Sequence, residues 1–108
     1  MDVRQSSPTE QEILRPLWKV HILHHANEGP AVGNWLLEEL REHGYRVSPG
    51  TLYPLLGRMV QIGWLAQRRD RRYRITPEGR RALAEVRTRL QELLREVFAK
   101  RRTVLRPS

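Results

Sequence analysis

Apolar side chains recur at three- and four-residue intervals through most of the chain, and at two-residue intervals in one short stretch. Ile13, Leu14, Leu17, Trp18, Ile22 and Leu23 mark a first helical region. Pro16 lies inside it and predicts a kink or two pieces, the longer over about 16–27, with Gly29-Pro30 closing the region. Trp35, Leu36, Leu37 and Leu40 predict a second helix from about Val32 to His43 with those four on its inner side, and Gly44 suits the left-handed position beyond it. A third helix is expected from Pro49 to about Ile62, ending at Gly63. It carries Leu52, Leu55, Leu56, Met59 and Val60 on one face, and Thr51, Tyr53, Pro54, Gly57, Arg58 and Gln61 on the other. Trp64 and Ala66, then Tyr73 and Ile75, alternate with polar residues and predict two short antiparallel strands. No glycine specifies the turn between them.

The last helix is expected over about Pro77 to Arg101. Leu83, Val86, Leu90, Leu93 and Val97 are spaced 3, 4, 3 and 4, a coiled-coil seam that Leu94 and Phe98 widen. The small core left over cannot cover such a seam, which asks for the first helix, a second copy of the chain, or both. Three pairs, Ser7-Pro8, Ser48-Pro49 and Thr76-Pro77, read as helix starts in which the hydroxyl caps free N–H groups and proline takes the first helical position. Glu10 stands in capping-box spacing from Ser7. The fold class is therefore mostly α with a minor β part: a winged helix-turn-helix with an N-terminal helix, a two-stranded wing and a long C-terminal helix. Residues 1–76 are expected to form the DNA-binding region of such a fold, 77–101 the C-terminal helix of the same single domain, and 102–108 a tail.

Charge sharpens this picture. Residues 1–60 carry six Lys/Arg against seven Asp/Glu, net −1, whereas residues 61–108 carry fourteen against five, net +9. Eighteen of the twenty basic residues are Arg, whose planar fork suits phosphate, and five fall within Arg68-Arg69-Asp70-Arg71-Arg72-Tyr73-Arg74. Double-stranded DNA is the partner this balance favours over a membrane surface. No apolar run approaches a membrane span and no secretory leader is visible, so a cytoplasmic location is expected. The absence of cysteine excludes disulfide frameworks and thiolate metal sites. No carboxylate cluster, Gly-rich phosphate loop or nucleophile signature points to an enzyme or to a cofactor.

The stretch His43-Gly44-Tyr45-Arg46-Val47-Ser48-Pro49-Gly50-Thr51-Leu52-Tyr53-Pro54-Leu55-Leu56 resembles the PadR family of bacterial transcriptional regulators, as does Arg72-Tyr73-Arg74-Ile75-Thr76-Pro77-Glu78-Gly79-Arg80. The resemblance spans about residues 15–100 and is to the short-tailed branch with one C-terminal helix. It implies a homodimer paired through that helix with help from the first, bound to a promoter inverted repeat, usually as a repressor released by a small molecule. The chain departs from the family where Gly29-Pro30-Ala31-Val32-Gly33-Asn34 replaces a Gly-Pro-x-His-Gly-Tyr pattern, and where the last helix offers only Phe98 to a flat aromatic ligand.

The residues expected to touch DNA are Ser48, Thr51, Tyr53 and Arg58 of the third helix with Arg68, Arg69, Arg71 and Arg72 of the wing. The dimer interface is expected from Leu83, Val86, Leu90, Leu93, Leu94, Val97 and Phe98, with Leu17 of the first helix. Trp18 is the candidate for lining an effector pocket. His21 and His25, one turn apart, share a helix face and could hold a transition metal if Glu28, Glu39, Glu42 or a second subunit completed the set. Two alternatives accompany the repressor: a metal-responsive repressor built on those histidines, and a nonspecific basic architectural protein.

Overall fold

A computed structural model describes residues 7–99. Ahead of α1, Arg15–Glu28, lies a π-helical turn, Glu10–Leu14, that runs directly into it. The Arg15 N–H reaches back to the Glu10 carbonyl, so the helix is widened immediately before Pro16, whose missing N–H and bulky ring a regular turn would not accept. The two expected pieces are thus joined without a break. Ser7 caps as expected, its Oγ accepting the Glu10 N–H at 3.1 Å.

Strand β1, Ala31–Val32, follows Gly29-Pro30, and α2 is Gly33–Glu42. The expected helix start at Val32 is corrected here, because Val32 is extended and pairs with Arg72. Gly44 holds φ 88°, and the Tyr45 N–H returns to the Leu40 carbonyl at 3.1 Å, the closure that a left-handed glycine permits. Helix α3, Pro49–Ile62, ends in the same way: Gly63 has φ 98° and the Trp64 N–H bonds to the Met59 carbonyl at 3.0 Å.

Strands β2, Leu65–Gln67, and β3, Arg72–Ile75, form the hairpin, with β3 central in the order β1-β3-β2. The wing is therefore backed by a third strand that was not expected. Leu65, paired with Ile75, is the buried residue of β2, while Ala66 is exposed and Trp64 half-buried ahead of the strand, one residue out of the expected register. Helix α4, Pro77–Phe98, ends at an extended Ala99. The remaining residues of the helix expected to Arg101, and the tail expected over 102–108, lie outside the described residues.

The core gathers Trp18, Ile22 and Leu23 of α1, Leu36, Leu37 and Leu40 of α2, Leu52, Leu56 and Met59 of α3, and Leu65, Tyr73 and Ile75 of the sheet. Helix α1 is its centre, packed on α2, α4 and β3. Trp35, expected inside, is 45% exposed, because Leu36, Leu37 and Leu40 already fill the face of α2 turned toward α1 and α3.

Candidate nucleic-acid interface

Helix α3 begins where the chain leaves the turn after α2. That turn is held by the Arg41 Nε–H donating to the Val47 carbonyl at 3.1 Å. Pro49 occupies the first turn, and the Ser48 carbonyl accepts the N–H groups of Thr51 and Leu52 at 3.1 and 2.9 Å. The expected side-chain cap is corrected: the Ser48 hydroxyl makes no cap bond and instead pairs with the Thr51 hydroxyl at 3.1 Å. Two hydroxyls therefore stand together at the outer start of α3. Tyr53, Pro54, Gly57, Arg58 and Gln61 continue its exposed side. Tyr53 lies across Gly33 at the start of α2, so close that a Cβ on Gly33 would fall 2.6 Å from its ring. The absent side chain thus fixes where the Tyr53 ring rests.

The wing tip is built by its one acidic residue. The Arg71 N–H bonds to the Arg68 carbonyl at 2.9 Å, closing a tight turn over Arg69 and Asp70. Arg71 then takes φ 63° as the left-handed residue of a three-residue hairpin loop, a position usually given to glycine. Asp70 accepts the Arg72 N–H at 3.0 Å and grips the Arg74 guanidinium at 2.8 and 3.2 Å. The Arg74 bond and then the Arg72 N–H hold the Asp70 carboxyl well below the usual carboxylate range. One of the five wing arginines is consequently neutralised inside the wing. Arg68, Arg69, Arg71 and Arg72 are exposed and form no ion pair among the described residues. Sequence reasoning missed the Asp70–Arg74 lock, although the Asp within an Arg run was its signal.

Thr76 ties the wing to α4. Its N–H bonds to the Trp64 carbonyl at 3.0 Å, its hydroxyl donates to the Gly63 carbonyl, and Oγ1 accepts the Gly79 N–H at 3.0 Å. The end of α3, the base of the hairpin and the start of α4 thus meet at one side chain. A helix-turn-helix whose third helix faces outward, followed by a sheet-backed basic hairpin, is a winged helix.

The Transcriptional regulator PadR-like family matches residues 22–85, and a protein named Transcriptional regulator Rv3488 from Mycobacterium tuberculosis (strain ATCC 25618 / H37Rv) is 50% identical over 95 residues, 82% of this chain and 89% of that protein. The chain belongs to the PadR-like family. That is a family of transcriptional regulators, not of enzymes. A PadR-like transcription factor from Bacteroides fragilis shares the fold with a TM-score of 0.69 at 23% identity, over 84% of this chain and 96% of that one. A transcriptional regulator from Clostridium thermocellum does so with a TM-score of 0.64 at 24% identity, over 89% and 100%.

Elsewhere in this PadR-like chain, the seam residues divide. Leu83 is buried in the chain's own core, Leu17, Val86 and Leu90 are half-buried, and Leu93, Leu94, Val97 and Phe98 are more than half exposed. Trp18 is a core residue, 1% exposed, with the Arg15 guanidinium 5.3 Å from its ring centroid. It floors a depression of about 210 Å³ rimmed by Arg15, Lys19, Thr51 and Leu55. A second cavity, about 400 Å³, lies between His25, Trp35 and Arg72. His21 and His25 do share a face of α1, and His43 joins them from the end of α2. The expected helpers Glu39 and Glu42 belong to neither candidate metal group among the described residues, while Glu28 groups with His24 and His25. No helix among the described residues is long and apolar enough to cross a membrane.

Proposed function

We propose that this PadR-like regulator is a homodimeric, sequence-specific repressor acting in the cytoplasm on a promoter inverted repeat. The observation that carries the reading is the presence in one winged helix of two exposed features: the outer face of α3, and a wing with four arginines that form no ion pair among the described residues. Thr51 and Tyr53 would meet base edges or phosphates in the major groove, with Ser48 donating to phosphate and Arg58 farther along. Arg68, Arg69, Arg71 and Arg72 would lie along the flanking backbone or in the adjacent minor groove. Residues 1–76 serve as the reading region and α4 as the dimerisation helix, in which Leu93, Leu94, Val97 and Phe98 need a second copy to leave water. The depression beside Trp18 is the place for a releasing small molecule, since Thr51 of α3 stands on its rim.

The test is to incubate purified protein with fragments of the source genome in moderate salt, then sequence what is retained. An enriched inverted repeat beside a promoter, bound on the order of 10³-fold more tightly than bulk DNA, is expected. Uniform recovery would leave the architectural reading in its place.

A further inference from the structure

We propose that His21, His25 and His43 form a binding site for a divalent late transition metal ion of the zinc, nickel and copper class. His21 and His25 are one turn apart on α1, but His43 follows His25 by eighteen positions and reaches them only because α1 packs on α2. One nitrogen from each of the three rings lies within 4.8 Å of the others. A tetrahedral zinc site with bonds of about 2.0–2.1 Å sets its nitrogens about 3.4 Å apart, a gap that small ring rotations close. The ring centroids stand at 4.9 Å for His21 and His43 and 6.2 Å for His25 and His43.

Independent support comes from His25. Both of its ring nitrogens are buried without a hydrogen-bond partner. The Glu28 carboxylate is 3.7 Å from Nδ1, beyond hydrogen-bond reach. Orphaned buried nitrogens are costly, and a coordinated ion satisfies one of them. His21 is already oriented, its Nε2 sharing a hydrogen bond with the Tyr45 hydroxyl at 2.9 Å. A ring held at one nitrogen and free at the other is the arrangement that fixes metal-ligating histidines. Three imidazoles without thiolates suit zinc, nickel or copper and leave a coordination position open.

A competing set, His24, His25 and Glu28, lies on α1 alone and contributes two exposed residues. Its Glu28 sits 3.7 Å from both histidines, a spacing that helix-surface pairs adopt without any metal. The cross-element triad has a further consequence, which rests on the DNA-binding reading. His43 caps α2 directly ahead of the turn into α3, so an ion there ties α1 to the entry of the DNA-facing helix and alters DNA affinity.

Calorimetric titration of the full chain, free of any affinity tag, with Zn²⁺ and with Ni²⁺ tests the site without DNA. One ion per chain is expected, weakened at least about tenfold in His25→Ala and in His43→Ala and unchanged in His24→Ala. His43 is exposed, so its loss leaves the fold intact, as thermal melting of the variant will show. Absence of binding to the parent chain overturns the proposal. So does affinity lost in His24→Ala yet kept in His43→Ala, or one ion per two chains. Affinity for a selected DNA fragment, measured with and without Zn²⁺, tests the coupling. No change despite calorimetric binding overturns the coupling alone, whereas no DNA binding under either condition counts against the repressor and leaves the metal result standing.

Discussion

Gly79 sits in the first turn of α4 with its Cα against the base of the wing. A Cβ there would collide with the Trp64 carbonyl oxygen and fall 2.7 Å from Ile75 Cγ1. Alanine is the better helix former by about 1 kcal/mol, but overpacking against backbone costs about 1–3 kcal/mol. With the Cβ against backbone the steric effect wins, and Gly79→Ala is expected to lower unfolding free energy by up to about 2 kcal/mol in urea titration. At the same scale, His21 faces His24 and His25 from its own helix, with His43 and Tyr45 from beyond α2. Its folded pKa lies below the unfolded value, so the unfolded chain binds more protons in the window beneath about pH 6.5. Stability contributed above that window is lost as pH falls through it. Melting temperature is expected to drop between pH 7.5 and 5.5 in metal-free buffer, and His21→Gln to narrow the drop.

Among the elements, the wing shows what its arginines cost. Arg71 adopts a left-handed backbone that glycine would hold without strain, a penalty of about 1 kcal/mol. Arg71→Gly is expected to raise stability by up to about 1 kcal/mol while weakening DNA binding and reducing the salt slope by about one. A variant that gains stability with its salt slope unchanged would remove Arg71 from the interface. The wing also shows a limit of pattern reading. The alternation puts Trp64 in the strand, but its N–H completes the closure of α3, so β2 begins one residue later and presents Leu65 inward. A one-residue slip exchanges the two faces of a strand. Trp35 departs from its pattern for a related reason: next to Leu36 and Leu37 it reads as core, yet Leu36, Leu37 and Leu40 fill the helix face that α1 and α3 cover.

Across the whole molecule, α4 decides the shape. Its 22 residues extend about 33 Å, and only Gly79 and Leu83 are buried. The radius of gyration is 16.6 Å, against about 13 Å for a compact chain of this length. The far half of α4 thus projects with Leu93 52%, Val97 62% and Phe98 76% exposed. Leu93→Glu is expected to yield monomers in sedimentation and weaker operator binding at an unchanged circular dichroism spectrum. A dimeric Leu93→Glu chain would place the interface elsewhere. The helices themselves, the glycine stops at Gly44 and Gly63 and the Arg-rich run were legible along the chain because each shows in neighbours within about four residues. The pairing of β1 with β3, the grip of Asp70 on Arg74, the division of the α4 seam between its own core and a free end, and the meeting of His43 with His21 were not. Each depends on which surfaces remain after α1 has taken its place at the centre, and local periodicity carries no record of that packing.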